Sequence, residues 1–215
     1  TPADQHPVPQ LISAMWADLL RLQTLYLAIK DRAVLEIVCT VYDAILHAGK
    51  TTCRSAIPDV IAACVTMLDG LGEAFTLTPL TSTLELHGGD PEFQPSFTQL
   101  LDNIVLRVQT MVGGAVPFSP EAAGLLAGLL HLVFRALLFS PTALAQTAQF
   151  VPLMELATLG ISDENRPLFQ VSCMIVGELA KRGMPPALEW LQANSMVNLR
   201  RVILSIMRAI GGTAP

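Results

Sequence analysis

"EAAGLLAGLLHLVFRALLF", residues 121–139, decides the fold. It is nearly all apolar and carries a Gly-x-x-x-Gly at Gly124 and Gly128. As a helix it rises about 28 Å, long enough to cross a bilayer. Small residues four apart are also a close-packing face between membrane helices. The flanks argue the other way, because "VGGAVPFSP" and "SPTALAQTAQ" hold no Lys or Arg to orient a span. His131 and Arg135 lie inside the run, and an Arg at the bilayer centre costs about 2.5–3.5 kcal/mol on insertion scales. Glu121, Gly124, Gly128, His131 and Arg135 follow one another at steps of 3, 4, 3 and 4, so they share one helical stripe. The rest of the circumference is Leu, Val, Phe and Ala. That is the pattern of a helix covered by protein on two sides and behind. The run is therefore predicted to be a buried helix of a soluble protein, with no membrane insertion. A membrane protein built around residues 121–139 is the competing reading.

Composition supports helices packed on helices. The chain is 52% hydrophobic and only 14% charged, well below the usual quarter of charged residues. Aromatics are scarce at 6%, while Leu, Ala, Val, Ile and Met abound, which favours helix over sheet. Charge is unevenly spread. Thr1–Asp102 hold five Lys/Arg against twelve Asp/Glu, net −7, and Asn103–Pro215 hold eight against six, net +2. The acidic half argues against nucleic acid as a direct partner and favours basic proteins. Cys39, Cys53, Cys64 and Cys173 form no Cys-x-x-Cys pair, as expected of free buried thiols in a reducing compartment. The chain opens on "TPADQHPVPQ", without an initiator Met or signal-like start, as expected of a segment cut from a longer protein.

Helical periodicity runs throughout. In "DRAVLEIVCTVYDAILHAGK", residues 31–50, Val34, Ile37, Val38, Val41, Ile45 and Ala48 recur at three- and four-residue steps. Asp31 is placed to cap this helix and Gly49 to end it. Further helices are predicted over about 8–29, 55–70, 76–87, 93–112, 119–139, 142–160, 163–182 and 186–210, giving about nine. The breaks "GGDPEFQP", "GGAVPFSP", "SPT", "GISDENRP" and "RGMPP" supply Gly for exits and Ser, Asp or Pro for starts. Connectors this short make neighbouring helices antiparallel. The strong starts Asp31, Thr78, Ser119 and Ser162 lie 47, 41 and 43 residues apart. Two helices per 40–47 residues is the period of HEAT and armadillo repeats. The expected fold is all-α: an α-α superhelix, a HEAT-repeat solenoid of four to five repeats in a single domain over residues 1–215.

Motifs for chemistry are wanting. Gly49-Lys50-Thr51 resembles the tail of a phosphate-binding loop, but the required Gly five residues earlier is Ala44, and a helix stands where a strand is needed. His6, His47, His87 and His131 pair with no ligand at metal spacing. A zinc site from His47, Cys39, Cys53 and Cys64 would need two helices and a loop to converge. No Gly-x-Ser-x-Gly elbow exists. Asp163 and Glu164 read as first-turn acids favoured by the helix dipole. The reading is a non-enzyme with no cofactor and no metal.

The informative polar pattern is Arg32, Glu36, Thr40, Asp43 and His47, on one face of the second helix at steps of 4, 4, 3 and 4. It is either a solvated outer face or the lining of a solenoid's concave surface, where such proteins hold partners. Gln170 and Lys181, with Gly177 between them, form a comparable strip on the helix of residues 163–182. These seven residues are the candidate cargo-binding set.

Three stretches carry a family resemblance: "RPLFQVSCMIVGELAKRG" at 166–183, "LSIMRAIGG" at 204–212 and "AVLEIVCTVYD" at 33–43. With the helix-pair period, they resemble the C-terminal HEAT repeats of the importin-β superfamily of nuclear transport receptors, in the branch that holds importin thirteen and transportin-SR. The resemblance is spread over most of residues 8–212. It implies a superhelix of about twenty repeats, with this chain as the last quarter. Such a receptor holds protein cargo on its inner surface, passes FG-repeat nucleoporins and exchanges cargo in response to the GTPase Ran, shuttling between cytoplasm and nucleus. The family's main Ran surface lies in N-terminal repeats. Transportin-SR carries an arginine-rich helix for phosphorylated Arg-Ser domains, at a place corresponding to residues 31–48. Here that helix keeps only Arg32 and adds Glu36 and Asp43, a departure that points to basic or mixed-charge folded cargo and to importin thirteen. A HEAT-repeat scaffold or adaptor unrelated to transport is the alternative with the same fold.

Overall fold

The computed structural model describes residues 7–113 and 117–211, with side chains from Gln10 to Leu204. The opening residues 1–6 with His6, part of the "GGAVPFSP" connector, and the closing residues 212–215 lie outside the described residues. The chain is all-α, with no strand among the described residues. The helices are α1 (Pro7–Ala28), α2 (Arg32–Gly49), α3 (Ile57–Leu71), α4 (Thr78–His87), α5 (Gln94–Val112), α6 (Pro120–Phe139), α7 (Pro141–Gln146), α8 (Phe150–Gly160), α9 (Arg166–Arg182), α10 (Pro185–Ala193) and α11 (Ser195–Gly211). Short 3-10 turns fill Lys50–Ala56, Ala74–Leu77 and Pro91–Phe93.

Several starts are fixed by local chemistry. Asp31 accepts from the backbone N–H of Val34, and Ser119 accepts from Ala122, each satisfying an orphan donor of the first turn. Pro occupies the first or second position of α3, α4, α5, α6, α7, α9 and α10, where its missing N–H is harmless. α3 and α9 end on Gly72 and Gly183 in the left-handed region. The exit from α2 differs from expectation. Gly49 is the last helical residue with φ −84, and Lys50 takes the positive φ of 44. The start expected at Ser162 falls at Asn165, whose side chain accepts from Leu168.

Two expected helices are each divided. The run 142–160 breaks into α7 and α8 at Thr147, where ψ is 132 and the backbone is extended. There the Asp102 carboxylate of α5 accepts from the Thr147 hydroxyl and, at 3.4 Å, from the Gln149 N–H. The run 186–210 breaks at Asn194 into α10 and α11. The described helices are thus eleven, not nine.

The helices pack in two rows. α2, α4, α6 and α9 lie side by side in that order, with the most extensive contacts in the molecule between consecutive members. α1, α3, α5, the α7–α8 pair and α10 form the other row, and each packs on a row-one helix next to it in the chain order. The row-one helices start at Arg32, Thr78, Pro120 and Arg166, steps of 46, 42 and 46 residues. The apolar interior runs between the rows, from Leu35, Tyr42 and Leu46 through Leu80, Leu84, Leu126 and Leu130 to Leu168 and Ile175, all fully buried.

Side-chain ties between neighbouring helix pairs keep the same period. Gln23–Ala63, Arg32–Glu73, Asp43–Ser82, Asp69–Arg107, Gln94–Ser140, Asp102–Thr147, Phe118–Asp163 and Thr158–Arg201 are joined at separations of 38 to 46 residues. Each links one helix pair to the next.

α6 is the one described helix long and apolar enough to cross a membrane. Its environment here is protein. α4 and α9 flank it, α5 lies behind it, and ten of its residues are buried.

Candidate partner-binding face

Among the described residues, row one has one side that no other helix covers, and its polar residues collect there. On α2, Arg32, Glu36, Thr40 and His47 are exposed and Asp43 is half-buried. Arg32 Nη2 sits 2.7 Å from Glu73 Oε2, at the entry to the turn before α4. The Thr40 hydroxyl donates to the Glu36 carbonyl at 2.9 Å. Asp43 accepts from the Ser82 hydroxyl of α4 at 2.5 Å, and His47 Nε2 lies 3.7 Å from the same carboxylate.

The stripe of α6 continues this face. Glu121 and His131 are exposed, while Gly124, Gly128 and Arg135 are half-buried. Arg135 Nε approaches Glu85 Oε2 of α4 at 3.6 Å. Between α4 and α6 lies a groove of about 560 Å³, lined by Phe75, Leu77, Thr81, Glu85, Gly124, Gly128, His131 and Arg135, and by Pro167 of α9. From Pro167 the exposed strip of α9 runs through Gln170, Met174, Gly177 and Lys181. Lys181 lies 3.7 Å from Glu178. Gln170 and Lys181 thus belong to the same row face as the α2 residues, but α4 and α6 stand between the two groups. The seven residues do not form one cluster.

Electrostatics on the face are set by solvent and by pairing. Partial burial, and then the Arg135 cation, push the His131 imidazole below its ordinary range. The Arg182 guanidinium, at 2.8 Å, holds the Glu178 carboxyl below the usual carboxylate value. His47 stands on the exposed face, whereas Cys39 and Cys64 lie in the core, where Cys39 Sγ is 3.9 Å from Met67 Sδ. Burial pushes the Cys64 thiol up. Cys39, Cys53 and Cys64 are buried, but Cys173 is exposed on α9, contrary to expectation for that thiol. Cys173 alternates with buried Ser172, so helical phase and not local hydrophobicity decides its exposure.

Two features on the other row escaped the reading of the sequence. An apolar groove of about 230 Å³ lies between α3 and α5, lined by Ile57, Ile61, Val65, Phe93 and Leu100. The four-residue spacing of Ile57, Ile61 and Val65 was its available signal. At one end, Arg54 Nη2 reaches Asp90 at 2.9 Å and Glu92 at 3.6 Å and stacks 5.5 Å over the Phe93 ring. Asp90 also lies 3.5 Å from Nδ1 of His87, a fully buried ring.

No model of a known protein family matches the chain, and no curated protein matches it.

Proposed function

We propose that this chain is a cargo-binding segment of a nuclear transport receptor, built as a HEAT-repeat solenoid whose row of α2, α4, α6 and α9 is the partner-holding surface. The observation that carries the reading is the two-row packing, in which row-one helices and the ties between pairs repeat every 38 to 46 residues. An array of this kind offers a long uncovered helix face, which suits holding proteins. The resemblance to the importin-β superfamily supplies the transport role.

Protein cargo, basic or mixed in charge, would lie against Arg32, Glu36, Thr40, Asp43 and His47 at one end and Gln170 and Lys181 at the other. The apolar groove between α3 and α5 is the candidate place for FG nucleoporins. Ran would act through repeats outside this chain. The full-length protein that contains it should release bound cargo with Ran-GTP and not with Ran-GDP, or gain cargo under the same change if it exports. Partners indifferent to Ran's nucleotide state would leave only the scaffold reading. Glu36→Lys with Asp43→Lys should weaken a basic cargo, and unchanged binding with helicity intact by circular dichroism would move the site elsewhere.

A further inference from the structure

We propose that the groove between α4 and α6 docks a basic peptide segment that places one bulky apolar side chain over Gly124. The inference rests on reading this row as the partner-holding face, and it is independent of Ran and of transport.

The first observation is the empty space itself. Packing explains Gly128, because a Cβ there would sit 3.1 Å from Ala74 Cβ. Packing does not explain Gly124, where a Cβ would meet nothing within 4 Å. The groove is about 560 Å³ and includes Phe75, Leu77 and Ala127 among its apolar residues. A leucine, methionine or phenylalanine from a partner finds apolar contact with this lining and open space above this turn of α6.

Charge selects what flanks that side chain. The acids of the face are Glu36, Asp43, Glu73, Glu85, Glu121 and Glu178, against the cations Arg32, Arg135, Arg166 and Lys181. Three of these cations already face carboxylates, Arg32 at Glu73, Arg135 at Glu85 and Lys181 at Glu178. Among the described residues, Glu36 and Glu121 stand in no ion pair within 4 Å. At the groove itself, the 3.6 Å Arg135–Glu85 contact is between side chains 41% and 37% exposed, so Glu85 is open to a lysine or arginine brought by a partner. An acidic segment would meet more carboxylates than cations across α2, α4, α6 and α9.

The test is fluorescence anisotropy with a fluorescein-labelled peptide bearing a central phenylalanine between paired lysines. Companion peptides replace the phenylalanine with alanine or the lysines with glutamates. The basic phenylalanine peptide should bind, with affinity falling as salt rises. The alanine peptide should bind about tenfold more weakly, since tenfold is the scale of one side chain's apolar burial. Gly124→Leu fills the open space and should reduce binding at least tenfold, without lowering Tm. Glu85→Lys, which leaves the apolar lining intact, should weaken the lysine peptide and strengthen the glutamate one. Equal binding of the lysine and glutamate peptides would overturn the proposal. So would undiminished affinity in a folded Gly124→Leu protein, or in Glu85→Lys should the leucine variant not fold. Cargo that still answers to Ran in the full-length Gly124→Leu protein, with peptide binding unchanged, would reject this groove and keep the transport reading. Peptide binding as described with no Ran response would do the reverse.

Discussion

The buried carboxylate of Asp163 accepts a hydrogen bond from the backbone N–H of Phe118, 3.0 Å away and 45 residues earlier. Its other oxygen accepts from the N–H of Asn165 at 2.8 Å. One side chain therefore joins the entry of α6 to the entry of α9. Asp163→Ala would strand the buried Phe118 N–H, which costs about 1–3 kcal/mol. Urea unfolding should show that loss, and a smaller one for Asp163→Asn, which keeps a carbonyl acceptor. An alanine variant as stable as the parent would show that water replaces the tie.

The two capped starts, at Asp31 and Ser119, were legible because a cap and the helix it serves are three residues apart. The uncovered stripe of α6 was legible because burial follows helical phase. Asp163 was not. Its value as an acceptor comes from Phe118, and nothing within a few residues announces a donor one repeat away. Asp102 is the same case: it turns the chain at Thr147 and Gln149 and so divides a run whose apolar spacing reads as one helix. On the candidate face, the spacing within α2 was visible, but the groove was not, because it needs Glu85 and Arg135 brought together across 50 residues. Period can be read along a chain, whereas register between neighbouring helices is set only when side chains meet.

Glycines at the end of α4 and within α9 should respond to alanine in opposite directions. At Gly88, a Cβ would lie 2.9 Å from the carbonyl carbon and oxygen of Phe139, which are backbone atoms and cannot rotate away. Gly88→Ala should destabilise by about 1–3 kcal/mol through overpacking. Gly177 is exposed, helical and unobstructed, so Gly177→Ala should stabilise by about 0.5–1 kcal/mol from the lost backbone entropy alone. Thermal unfolding of the two variants side by side checks the packing of α4 against the end of α6.

Buried polar groups should also divide by partner. The Tyr42 hydroxyl donates to Gln23 Oε1 at 2.8 Å, and Gln23 Nε2 donates to the Ala63 carbonyl at 3.1 Å, linking α2, α1 and α3. Tyr42→Phe leaves a buried acceptor unpaired, for about 1–3 kcal/mol of stability lost. His87 is equally buried, yet neither ring nitrogen has a hydrogen-bond partner; Asp90 at 3.5 Å is within ion-pair range but outside hydrogen-bond alignment. His87→Leu should therefore be neutral or stabilising by up to about 1 kcal/mol, since an apolar side chain removes an unsatisfied group. A large loss on His87→Leu would mean that the ring makes a bond through water.

His131 gives the face a dependence on pH with a definite sign. Its imidazole is held below the ordinary value of 6.5 by partial burial first and by Arg135 second. The unfolded chain therefore binds the proton more readily than the folded one. Its contribution to stability is complete above the unfolded value and is lost as pH falls through the lower folded value. The ring is exposed, so solvent screening keeps the effect small. Docking should show it more clearly. Protonation adds a cation beside Arg135 at the groove. A lysine-bearing peptide should thus lose affinity as pH drops below neutrality, and His131→Gln should flatten that loss. Anisotropy titrations of both proteins across this range decide the matter, and parallel curves would show that His131 does not face the bound segment.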